Sequence, residues 1–124
     1  MALLGDIAVG LVALLHLWFM ALEIFLWDKP FGRKTFGLTP GYAKASKALA
    51  ANQGLYNGFL AAGLVWGLLQ GQGGIALKTF FLACVVIAGL FGAATINFRI
   101  LFAQALPGAI ALTLVLLGHR GVGV

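Results

Sequence analysis

Apolar residues fill four stretches of the chain, separated by short runs in which Pro, Gly and charged residues gather. A membrane span needs about 20 consecutive, mostly apolar residues. The first stretch covers about 7–27 and closes on Phe25, Trp27 and then Asp28-Lys29-Pro30. Pro30 and Gly32 stop the helix, and Trp27 suits the aromatic belt at a membrane surface. A polar connection, 28–47, follows. Within it, Thr39-Pro40 reads as an N-cap with Pro at the first helical position. The second helix therefore begins near Pro40, and its apolar part covers about 48–69. Gln70-Gly71-Gln72-Gly73-Gly74 makes a compact turn before a third helix over about 76–98. The last helix is expected over about 103–118. Its apolar part, Ala103–Leu117, would cover only about 22 Å at 1.5 Å per residue, against about 30 Å of hydrocarbon. Either the connection from Asn97 to Gln104 dips into the membrane, or this helix thins the bilayer locally. The pattern predicts one domain, 1–124, that is all-α: an integral membrane four-helix bundle.

Composition agrees with the pattern. The 124 residues are 62% hydrophobic and 9% charged, whereas a soluble domain carries about 25% charged residues. The net charge of +5 would raise nucleic acid as a partner of a soluble protein. Here five of the eight cations lie between residues 29 and 47, which fits anionic lipid headgroups better. The lipid bilayer is thus the expected partner, and nucleic acid is not. The positive residues also set an orientation. Lys29, Arg33, Lys34, Lys44, Lys47 and Arg99 fall on one side, Lys78 and Arg120 on the other. The positive-inside rule puts the six in the cytoplasm and both termini outside. The start of the chain lacks a cationic leader and its apolar run contains His16 and Glu23, so no cleavable signal peptide is expected. The single Cys84 excludes an intrachain disulfide and a Cys-based metal site.

Polar side chains within the spans are few, and such groups usually face protein or water. The first helix carries His16 and Glu23, the second Asn52, Gln53, Tyr56 and Asn57, the third ends with Asn97 and Arg99, and the fourth opens with Gln104. At 1.5 Å per residue, Glu23 lies about 6 Å and His16 about 16 Å below the level of Trp27. Nearly all of these groups therefore belong to one leaflet. His16, Met20, Glu23 and Trp27 recur at i, i+4, i+7 and i+11, one stripe of a helix. Asn52 with Tyr56, and Gln53 with Asn57, form two neighbouring stripes. A pocket open to the cytoplasm would unite them, with Glu23 and His16 as acid–base groups and the helix-2 amides, Tyr56, Asn97, Arg99 and Gln104 orienting a ligand. The structural alternatives are a Glu23–Arg99 pair or an Asn97 cap on Glu23, His16 as a packing residue, and amides that hold helices together. Gly54, Gly58 and Ala62 form a small-xxx-small ladder for close helix approach, and Gly63 with Gly67 and Gly89 with Ala93 repeat it. No HExxH, GxSxG, P-loop or CxxC motif is present; no metal site is expected and the cofactor is unknown.

The stretch His16-Leu-Trp-Phe-Met-Ala-Leu-Glu23-Ile-Phe-Leu-Trp27, followed by Ala51-Asn52-Gln53-Gly54-Leu-Tyr56-Asn57-Gly58 and the Gln104-Ala-Leu-Pro107 region, resembles a family of small bacterial membrane proteins, domain of unknown function 1304. The resemblance covers nearly the whole chain. It implies a multi-pass protein of the bacterial inner membrane and brings no activity. Four functions stay open on the residues: a small-molecule site built on Glu23, a proton-coupled exporter similar to the small multidrug resistance class, an accessory subunit of a membrane complex, and haem binding through His16 with isomerase-like chemistry. A small-molecule ligand and a second copy of the chain stay open as partners.

Overall fold

A computed structural model describes residues 2–122 of the chain, with side chains through residue 119; Arg120, counted above in the charge split, lies outside these side chains. The described residues are helical, with no strand among them. Helix α1 covers Ala2–Ala21 and continues without a break into a π-helical turn, Leu22–Leu26. A short helix α2 covers Pro30–Phe36, α3 Pro40–Leu69, α4 Ile75–Thr95 and α5 Leu106–Val122. A 3₁₀ turn, Gly71–Gly74, leads into α4, and a second π-helical turn, Leu101–Ala105, leads into α5.

Three helical runs are long and apolar enough to cross a membrane: Ala2–Leu26, Gly71–Thr95 and Leu101–His119. The sequence pattern gave four. Helix α3 has the length, with 30 residues, but Asn52, Gln53 and Asn57 dilute its apolar half. The last run is longer than the 15 apolar residues suggested, because the helix runs over Leu101–His119 rather than about 103–118. Pro107 lacks an N–H, and its ring crowds the carbonyl of residue i−4. That carbonyl belongs to Ala103, within the wider π turn, so the proline is accommodated without ending the helix.

The chain divides into two compact units. The first holds residues 1–13 and 62–124. Its core is aliphatic: Val9 and Val12 from α1, Leu64 from α3, Leu82 and Val85 from α4, Ala111 and Val115 from α5. Glycine makes the close approaches. A Cβ on Gly89 would lie 2.4 Å from the backbone nitrogen of Ala105, and one on Gly63 would meet the ring of Phe81 at a similar distance. Gly71 bends the chain out of α3 at φ +58°, a conformation that a side chain would resist.

The second unit holds residues 14–61: the later part of α1, its π turn, α2 and the first two-thirds of α3. Helix α2 occupies what the sequence offers as a polar connection. Lys29 is extended (φ −96°, ψ 158°) before Pro30, as the residue before a proline prefers, and Pro30 then starts a new helix at its first position. Phe31 and Phe36 meet Trp18 and Trp27, with ring centroids 6.1 and 4.9 Å apart. Gly37 ends α2 in the left-handed region, and the Leu38 N–H bonds back to the Arg33 carbonyl at 2.8 Å, a Schellman closure. Helix α3 starts where the Thr39-Pro40 pair indicates. The Thr39 hydroxyl accepts the Tyr42 N–H at 3.2 Å, satisfying an amide that the first turn leaves open.

Candidate functional site

The later part of α1 and the middle of α3 meet through small residues. Along α3, Ala43 is buried, and from Ala50 a seam of buried residues, Ala50, Gly54, Asn57, Ala61 and Leu64, recurs every three or four residues. A Cβ on Gly54 would lie 2.8 Å from Ile24, 3.0 Å from the Cβ of Glu23 and 3.2 Å from the Met20 carbonyl; one on Gly58 would touch the sulfur of Met20 at 2.8 Å. The ladder at Gly54 and Gly58 is thus used, and it brings Glu23 against α3.

Asn57 is the one polar residue on that seam. It is 5% exposed, and its side-chain amide donates a hydrogen bond to Oε1 of Glu23. Glu23 itself is half-buried and lies in the π-helical turn. Such turns are rare and recur at functional sites. No other hydrogen bond and no cation meets the Glu23 carboxylate among the described residues, where the one ion pair is Lys78–Asp6. Arg99 is exposed, and its backbone N–H bonds the Asn97 side chain at 2.9 Å. Asn97 is thereby spent on closing its own turn. It belongs with Arg99 and Gln104 to the first unit, whereas Glu23, His16 and the α3 amides belong to the second.

His16 is fully buried on the stripe of Glu23, edge-on to Phe19 with centroids 5.4 Å apart. Seven residues of helix separate it from Glu23, about 10 Å, so the two do not touch through the stripe. Asn52, Gln53 and Tyr56 lie on the exposed side of α3, Tyr56 beside Phe59. Of the four polar residues that the sequence offers on this helix, the structure brings one to Glu23. Gln104 is half-buried in the second π turn. The described residues contain no group of three His, Cys, Asp or Glu side chains able to hold a metal.

One feature is not foreshadowed by the sequence pattern. In the first unit, the ammonium of Lys78, in the first turn of α4, bonds Asp6 of α1 at 3.0 Å. The lysine side chain is 9% exposed and the aspartate 47%. They line an open cleft of about 560 Å³ with Gly5, the 71–73 turn, Ile75 and His119. Lys78 reads as a loop charge in a positive-residue count. The signal for its true place is that each charge sits alone in the opening turns of an otherwise apolar helix.

The chain is similar to an uncharacterized protein, YpaA, of Lactococcus lactis subsp. lactis (strain IL1403), with 27% identity over 106 residues, 84% of this chain and 89% of the relative. No solved structure gives a significant match. The family model for DUF1304, a protein family of unknown function, matches residues 10–116, and the chain belongs to that family.

Proposed function

We propose that this chain is a four-span protein of the bacterial inner membrane whose Glu23–Asn57 pair forms a binding site for a small molecule carrying a cationic or hydrogen-bond-donating group. The observation that carries the reading is the uncompensated carboxylate. A charged group within an apolar span is costly and is kept where it has a task. Glu23 has one amide partner, no cation, and an oxygen left to take a donor from a ligand. Asn57 is buried and fixed on the seam of α3, so it holds the carboxylate in one orientation. His16, two turns back along α1, would form the floor of the site.

The fourth span is α3. Its support is its length: 30 residues rise about 45 Å at 1.5 Å per residue, more than the ~30 Å of hydrocarbon, and the indole N–H of the interfacial Trp27 bonds Ser46 near the start of the helix at 3.0 Å. With four spans, the basic residues of 28–47 face the cytoplasm and both termini face outward.

Replacing Glu23 by Gln tests the site, because it keeps the shape and removes the charge. Small molecules released from the purified protein by denaturation are to be identified by mass spectrometry for both proteins. The expected outcome is a compound retained by the native chain and lost from Glu23→Gln, with an unchanged melting temperature. Equal retention in both, or a Glu23→Gln protein that merely melts earlier, would overturn the reading.

A further inference from the structure

The motif Asn52-Gln53-Gly54-Leu55-Tyr56-Asn57-Gly58 divides between two faces of α3. Gly54, Asn57 and Gly58 meet α1. The other face carries Leu49, Asn52, Tyr56 and Phe59, spaced i, i+3, i+7 and i+10 and exposed; Leu49 is 76%, Tyr56 51% and Phe59 55% exposed. Neither Asn52 nor Gln53 makes a side-chain hydrogen bond among the described residues, and neither buries its amide against another helix. Asn52 lies six residues beyond Ser46, whose hydroxyl holds the interfacial Trp27. That is about 9 Å further into the hydrocarbon along the helix axis, below the level that headgroups reach. Lipid tails offer no partner to an amide, and leaving one unsatisfied there costs several kcal/mol.

We infer that this face of α3 is the interface of a homodimer, in which Asn52 of one copy bonds Asn52 of the other across a two-fold axis. The spacing is that of a helix–helix seam, with one amide among apolar residues. The amide carries both a donor and an acceptor, so a two-fold copy of the same residue satisfies both. The face needs no chemistry from a different protein, and its single asparagine fixes the register of the pair. The inference rests on α3 crossing the membrane but not on Glu23 binding a ligand.

The test uses the full-length chain with Cys84→Ser and one new cysteine, reconstituted in phosphatidylcholine–phosphatidylglycerol vesicles and oxidised with copper phenanthroline. Leu49→Cys and Phe59→Cys are expected to link into dimers. Leu14→Cys on α1 and Leu90→Cys on α4, both exposed apolar positions, are not. Energy transfer between labelled copies should then show Asn52→Ala weakening the dimer about tenfold, the scale of the two reciprocal membrane hydrogen bonds lost, and Asn52→Gln retaining it. The helicity of Asn52→Ala, measured alongside, is expected to be unchanged because the residue faces outward. Monomers at every protein-to-lipid ratio, linkage through Leu14 or Leu90 instead, capture of a different protein on this face in native membranes, or an unchanged affinity for Asn52→Ala would each overturn the dimer. A membrane-impermeant maleimide separates the two levels of failure. Labelling of Phe59→Cys from water would show α3 outside the bilayer and end the four-span reading too, whereas an unlabelled, unlinked Phe59→Cys ends only the dimer.

Discussion

Glu23 and Asn57 contribute unequally to the same hydrogen bond. Asn57 is buried and its amide has no water to fall back on, whereas the half-buried carboxylate has a second oxygen free. Asn57→Ala should therefore cost about 1–3 kcal/mol, since it empties a buried, packed position and takes the donor from the half-buried carboxylate. Glu23→Gln should cost less than about 1 kcal/mol, because an amide oxygen still accepts. A cycle of Asn57→Ala, Glu23→Ala and the double variant, each of which removes the bond, gives the coupling on unfolding in detergent, and we expect about 0.5–2 kcal/mol. Additive variants would show that the bond does not form. The residue pattern contained the answer to which amide faces inward, but in the small residues rather than the polar ones. Asn52 with Tyr56 and Gln53 with Asn57 are equally good stripes by spacing alone. Only Asn57 shares its face with Ala50, Gly54 and Ala61, the residues thin enough to admit another helix. Asn97, grouped with Glu23 by depth, accepts the backbone N–H two residues ahead with its side-chain carbonyl, a local bond that a span-level reading does not see.

At the level of helices, close packing distinguishes glycines that share one sequence pattern. A Cβ on Gly58 would meet only the flexible end of Met20, whereas one on Gly89 would strike the backbone of Ala105. Gly58→Ala should be neutral or stabilising by up to about 1 kcal/mol, the helix-propensity gain over glycine. Gly89→Ala should destabilise by about 1–3 kcal/mol, because a backbone cannot rotate away as a side chain can. Melting temperatures in one detergent decide this, and an equal response at both positions would contradict the packing. The Lys78–Asp6 link predicts a second asymmetry. Asp6→Ala leaves a buried ammonium without its counter-charge, while Lys78→Met leaves an aspartate that is already half in solvent. Asp6→Ala should accordingly be the more destabilising, by about 1–3 kcal/mol, with melting in parallel as the measurement. Helix boundaries were legible where the determinants are local. Thr39-Pro40 is one such case, since the cap and the fixed φ of proline act within one turn. Helix α2 was not, because seven residues with a glycine carry no readable period and are held by the distant rings of Trp18 and Trp27. The π turns were not either; Pro107 hints at the second, and nothing in the sequence marks the first.

For the whole molecule, the question that orders the others is how often the chain crosses the membrane. By length and composition three runs qualify, and α3 falls short because of the amides that give it its chemistry. Three and four crossings make opposite statements about two exposed points. If α3 crosses, the end of α2 and the turn before α4 lie on opposite sides; if α3 stays at the surface, they share a side. Thr35 and Gly73 are suitable reporters, both exposed, with open space around Gly73. Gly32 would be a poor choice despite lying in the same loop, since a Cβ there would fall 1.8 Å from the Leu26 carbonyl. In a Cys84→Ser chain expressed in intact cells, an impermeant maleimide is expected to label Gly73→Cys without lysis and Thr35→Cys only after it. The six-to-two split of positive residues sets that direction, and the crossing of α3 sets the opposition. Labelling of both from outside, or of neither, would mean three spans and return Asn52 and Gln53 to the water interface. The reverse pattern would keep four spans and invert the molecule, so that the Glu23–Asn57 pair would open to the periplasm.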